Sequence, residues 1–81
     1  MKCEICGQET RTDRHHIFNG SMRNKSEEYG AVINVCRRCH EQIHKDAELR
    51  LRLKALWQRK IMNEYRWTTE EFIQHFYKNY L

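Results

Sequence analysis

The chain is 81 residues long and carries 15 Lys and Arg against 11 Asp and Glu, a formal net charge of +4. This length holds one small domain, residues 1–81, and excludes multidomain catalytic architectures; domains near ~70–80 residues usually need a disulfide, a metal or oligomerisation beside their core. Hydrophobic content of 40% and charged content of 32%, with three Gly and no Pro, exclude a disordered or collagen-like chain, and no apolar run nears the ~18 residues that cross a bilayer.

The N-terminal Met1-Lys2-Cys3-Glu4 lacks the apolar core of a secretory signal, so the expectation is a cytoplasmic protein with reduced thiols and no membrane partner. The positive charge permits a polyanionic partner without demanding one. It is evenly spread, with eight Lys/Arg and six Asp/Glu in residues 1–45 and seven and five in residues 46–81. Other residue types are segregated. All four Cys and four of the five His precede residue 45, whereas seven of the nine aromatics follow residue 56. Residues 3–45 therefore read as the part that carries chemistry and residues 46–81 as a helical scaffold.

In chain order, Cys3-Glu4-Ile5-Cys6-Gly7 reads as a knuckle whose Gly supplies a positive-φ turn. In Arg14-His15-His16-Ile17-Phe18 the last two residues favour a strand, which Asn19 and Gly20 break. The polar stretch from there to Gly30 reads as a loop. Ala31-Val32-Ile33-Asn34-Val35 is the one β-branched run and is predicted to pair with the strand around Ile17 as a long-looped hairpin. After Cys36 no breaker occurs until the C-terminus, which predicts helix with a seam at Asp46, a suitable N-cap. Residues 47–66 carry two apolar stripes, Leu49, Leu53, Leu56 and Trp57 on one side and Leu51, Ala55, Met62 and Tyr65 on the other, with Arg52, Arg59 and Asn63 polar. Two stripes call for two partners: the hairpin layer and the final helix, or a second copy of the chain. Thr68 and Glu71 have capping-box spacing and start a last helix with Phe72, Ile73, Phe76, Tyr77 and Tyr80 at helical intervals.

Cys3-x2-Cys6 and Cys36-x2-Cys39 are two knuckles separated by 29 residues. Each such turn brings two thiolates to one ion, and two turns complete the tetrahedral shell that zinc prefers. In a reducing compartment the pattern points to a structural zinc rather than to disulfides, and its binding free energy is folding free energy. A zinc ribbon needs no His, yet His15, His16, His40 and His44 lie between and just after the knuckles. His40 and His44 are four apart and on a helix would share one face, able to bind a metal together; an exposed polar face is the plainer reading of such a pair. Adjacent residues on a strand point to opposite sides, so one of His15 and His16 can face a metal and the other a substrate, while a buried neutral His is the plainer alternative. A mixed site of Cys3, Cys6, His40 and His44 would leave the better ligands Cys36 and Cys39 unused. His75 has no partner nearby in sequence and reads as structural or surface.

The ordered set of Cys3-x2-Cys6, Arg14-His15-His16-Ile17-Phe18 and Cys36-Arg37-Arg38-Cys39-His40-Glu41-Gln42-Ile43-His44 resembles the HNH endonuclease family in its zinc-knuckle form, over residues 3–44. More closely, Arg14-His15-His16-Ile17-Phe18, the stretch from Arg23-Asn24-Lys25-Ser26 through Tyr29-Gly30 and the ending from Phe72-Ile73 to Lys78-Asn79-Tyr80-Leu81 are similar to short phage- or prophage-encoded HNH proteins, which implies a bacterial host cytoplasm. The resemblance implies a small α+β fold: a treble-clef-like ββα-metal core with its four-cysteine zinc, followed by a C-terminal helical extension. It also implies hydrolysis of a DNA phosphodiester with a single divalent cation (Mg, Mn, Ni or Zn), water attack leaving 5′-phosphate and 3′-hydroxyl ends. By position, His15, His40 and His44 fall where the family binds the catalytic metal and His16 where it places the general base. The family's middle Asn falls at Ala31 here, and the nearest asparagines, Asn34 and Asn24, are the residues that could brace the hairpin in its place.

Two functions follow. The first is a metal-dependent DNA endonuclease, a monomer or homodimer, whose lone site is expected to nick, double-strand cleavage needing a dimer or a second event. The second is a non-catalytic zinc module that binds DNA or protein. Arg14, Arg23, Lys25, Arg37 and Arg38 could contact phosphates in either, or form a solvated face.

Overall fold

Each knuckle is closed by its own backbone. In the first, the Cys6 N–H points at the Cys3 Sγ (3.5 Å) and Gly7, at φ 79°, donates to the Cys3 carbonyl. In the second, Cys36 N-caps a helix, its Sγ accepting from the Cys39 N–H at 3.4 Å. The computed structural model describes all residues, Met1–Leu81, in the order β1 (Thr12–His16), α1 (Arg23–Glu28), β2 (Val32–Cys36), α2 (Arg37–Lys45), α3 (Ala47–Tyr65) and α4 (Thr69–Phe76). This is a small α+β fold: a two-stranded antiparallel hairpin, then helices. No helix is long and apolar enough to cross a membrane.

The hairpin register pairs Thr12 with Cys36, Asp13 with Val35, Arg14 with Asn34, His15 with Ile33 and His16 with Val32. Strand alternation puts Asp13 and His15 on the face of buried Ile33 and Val35, which α2 covers through Cys39 and Ile43. Glu4 ties the first knuckle to β2, donating its N–H to the Asn34 carbonyl (2.9 Å) and accepting the Asn34 N–H on its carboxylate (2.6 Å).

The predicted strand around Ile17 and Phe18 is corrected: β1 ends at His16. Ile17 still donates to the Ala31 carbonyl, but the buried Ser26 hydroxyl takes over both the N–H and the carbonyl of Phe18, so no strand partner is left for that residue. The same serine explains why the stretch to Gly30 is not a loop. Gly20–Met22 form a 3-10 turn and Arg23–Glu28 form α1, a helix held by a tertiary anchor that no local propensity foretells.

The seam at Asp46 is where expected, its carboxylate accepting from the Leu49 N–H at 3.0 Å. The two stripes of α3 are not both buried. What faces inward is the seam between them: Gln58 and Ile61 are fully buried, Arg50, Lys54 and Trp57 half-buried, while Leu51 and Leu56 on the outer edges are each 52% exposed. Polar residues can occupy this seam because each finds a partner. Arg50 donates to the last carbonyls of α2 at Ile43 and His44, Lys54 lies 5.5 Å from the Tyr80 ring, and Gln58 holds Asn79 and the Tyr80 N–H.

Both halves of the Thr68–Glu71 capping box are present. The final helix nevertheless stops at Phe76, one turn before Tyr80, because Tyr77 adopts φ 64° and Gln58 captures the chain beyond it. Phe72, Phe76 and Tyr80 converge on Phe18, with ring centroids at 6.0, 4.8 and 5.6 Å. The aromatic C-terminal half thus clamps the residue two places after His16.

Candidate metal centres

The four thiols of Cys3, Cys6, Cys36 and Cys39 lie within 4.8 Å of one another. All are free, and the Cys6–Cys36 Sγ separation of 3.9 Å is far beyond a disulfide bond. Tetrahedral zinc with Zn–S near ~2.3 Å demands sulfurs about 3.8 Å apart, so this donor set fits the ion. Burial raises the Cys3 thiol, but the N–H groups of Cys6, Cys36 and Ile5 outweigh it and bring it down to about 6; burial and the three neighbouring sulfurs push Cys39 up to about 12. Four thiolates this close together repel one another, and a cation held among them would offset that repulsion.

A second set forms where β1 meets α2. Cys39 and Ile43 face the core, which rotates His40 and His44, one residue further on, to the edge beside His15. The ring nitrogens of His15, His40 and His44 lie within 4.8 Å of one another, and the Nε2 atoms of His40 and His44 are 3.2 Å apart. Nitrogens at ~2.0–2.1 Å from a tetrahedral ion sit about 3.3 Å from each other, so this set also fits one cation. His15 is 5% exposed; burial first, then the neighbouring imidazoles, hold it down to about 4, so it is neutral at physiological pH and free to donate a lone pair. The Asp13 carboxylate lies 3.1 Å from His40 Nδ1, the outer-shell contact that fixes which nitrogen a ligating imidazole presents, and 3.3 Å from Arg37 Nε.

His16 does not join this set. Its Nε2 lies 2.7 Å from Glu27 Oε1, and Arg14 grips the same carboxylate through Nε at 3.0 Å and an η nitrogen at 2.7 Å. The Arg14 guanidinium first, then His16, hold Glu27 down to about 2. A cleft of about 270 Å³ is lined by Arg14, His15, His16, Asn19, Gly20, Arg23, His40 and His44, so both faces of the His doublet reach one opening.

Of the other expected contacts, Arg37 and Arg38 border a separate cleft of about 550 Å³ with Gln8, Thr10, Arg11, Asp13 and Cys36, and the Lys25 ammonium lies 6.0 Å from the Tyr29 ring. Asn34 sits opposite Arg14 and makes only backbone hydrogen bonds, to Glu4. His75 stacks on Trp67 at 4.1 Å, away from both metal sets. No protein-family model, curated protein or solved structure matches the chain.

Three residues that the geometry brings in are given no role by the sequence: Asp13, Ser26 and Glu27. Asp13 carries a usable signal, since it lies two before His15 on a strand and so shares its face. Ser26 and Glu27 carry none, because their partners are 8 to 13 residues away across a fold-dependent turn.

Proposed function

We propose that the chain is a metal-dependent DNA endonuclease of HNH type, with a structural zinc on Cys3, Cys6, Cys36 and Cys39 and a catalytic divalent cation on His15, His40 and His44. The observation that carries this reading is the split of the His doublet: His15 joins the convergent nitrogens of α2 while His16, one residue on, stays outside them and lines the same cleft. That is the division of labour a hydrolytic site needs, ligands on one side and an imidazole outside the ligand set on the other.

A cation held by the three imidazoles would supply charge neutralisation at the phosphate under attack. His16, which lines the cleft without joining the three clustered imidazoles, accepts a proton from the attacking water. Arg14 and Arg23, at the rim of the same cleft, orient the phosphodiester backbone. The tie between Ser26 and Phe18 braces the chain just after His16, a bracing that the family resemblance assigns to an asparagine at the position of Ala31. A single site of this kind nicks one strand.

The cleft of Arg11, Arg37 and Arg38 favours a second reading, a zinc module that binds nucleic acid without cutting it. Supercoiled plasmid separates the two. Protein retaining its cysteine-bound zinc, incubated with Mg, Mn, Ni or Zn, is expected to nick, and His16→Ala should lower the rate ~10²–10⁴-fold with DNA affinity kept. Binding without cleavage under every cation would favour the module.

A further inference from the structure

The geometry points to Glu27 as a positioning residue for His16: its carboxylate accepts the Nε2–H, which leaves Nδ1 as the nitrogen that takes the proton from water. This rests on the nuclease reading. An ionised carboxylate only accepts, so the His16 nitrogen 2.7 Å from Glu27 Oε1 must carry the hydrogen, and in a neutral imidazole the lone pair is then on the other nitrogen.

The carboxylate is itself fixed in orientation. Arg14 engages both of its oxygens, at 3.0 Å on Oε1 and 2.7 Å on Oε2, so Oε1 is shared between Arg14 Nε and His16 Nε2. The backbone that carries it is fixed as well. Ser26, the preceding residue, is fully buried and bonded to both polar groups of the Phe18 backbone, and its carbonyl accepts the Ala31 N–H at 2.8 Å. Thus α1 grips the chain just after the His doublet with one residue and the His16 ring with the next.

Stability does not explain the arrangement. Arg14 and Glu27 side chains are 58% and 46% exposed, and exposed ion pairs contribute little to folding. The His16 ring is only 10% exposed, so the contact chiefly selects one tautomer and one ring orientation of a packed imidazole. Outer-shell carboxylates that do this for ligating histidines typically matter ~10–100-fold.

The test combines kinetics with a signature independent of activity. In the zinc-bound protein without a second cation, two-bond ¹⁵N–¹H correlation of labelled histidine should report His16 as the Nε2–H tautomer, and Glu27→Ala should convert it to a mixture. In plasmid nicking, Glu27→Ala should lower kcat ~10–100-fold with KM for DNA within about twofold, and Glu27→Gln, whose amide oxygen still accepts, should recover most of the loss. Three results overturn the inference while leaving the nuclease reading in place: kcat within about twofold of wild type in Glu27→Ala, a loss confined to KM, which would mean that Glu27 acts through Arg14 on DNA binding, or an unchanged His16 tautomer. A wild type that cuts no DNA under any cation overturns the nuclease reading, and this inference with it.

Discussion

His44 Nε2 stands 3.2 Å from His40 Nε2, and the two rings sit edge-on to His15 with centroids at 6.0 and 5.5 Å. His44 is exposed and makes no contact that the core needs, so His44→Ala should fold as wild type does. Its affinity for the second cation, titrated calorimetrically with the cysteine zinc in place, should fall at least ~10-fold, and raised cation concentration should partly restore nicking. Unchanged affinity would remove His44 from the ligand set.

Cys36 is both a member of the four-thiol cluster and the N-cap of α2, and it is 4% exposed. Elemental analysis of protein prepared without chelator should find at least one zinc per chain. Cys36→Ala, or a strong chelator, should abolish the cooperative thermal transition, because the metal's binding free energy is folding free energy. A variant that still melts cooperatively with its zinc retained would contradict the structural role.

Ser26→Ala tests the anchor of α1. It leaves the buried Phe18 N–H without a partner, a cost of about 1–3 kcal/mol, to be read from urea unfolding of the zinc-bound protein. It should also loosen α1, visible as faster amide exchange at Phe18 and Ala31. A loss below about 0.5 kcal/mol would mean that water replaces the hydroxyl.

His15 sets a pH dependence. Its folded pKa is depressed to about 4 from 6.5, so between those values the unfolded chain binds a proton that the folded chain does not, and stability rises with pH through that window. Between pH 7 and pH 5.5, without the second cation, wild type should lose about 1 kcal/mol more than His15→Gln does. The cysteine zinc is common to both proteins, so the difference isolates His15. Equal pH slopes would show that His15 is not buried neutral.

Much of this protein is determined by residue type and short-range spacing alone. The two Cys-x2-Cys turns, the His40–His44 pair one helical turn apart, the β-branched run of β2, the Asp46 cap and the Thr68–Glu71 box all work within four residues or fewer, where backbone geometry leaves few options. Opposite facing of His15 and His16 follows from strand alternation in the same way. What the tertiary structure decided is everything that depends on a partner distant in sequence. Ser26 turns a polar stretch into α1 by bonding Phe18, Glu27 meets His16 and Arg14 only because that helix packs back on β1, and α3 turns Gln58, fully buried, and Lys54, half-buried, inward rather than Leu51 because the C-terminal tail offers them partners. Hydrophobic periodicity counts apolar faces and is blind to polar groups whose burial is offset by a hydrogen bond formed elsewhere in the fold.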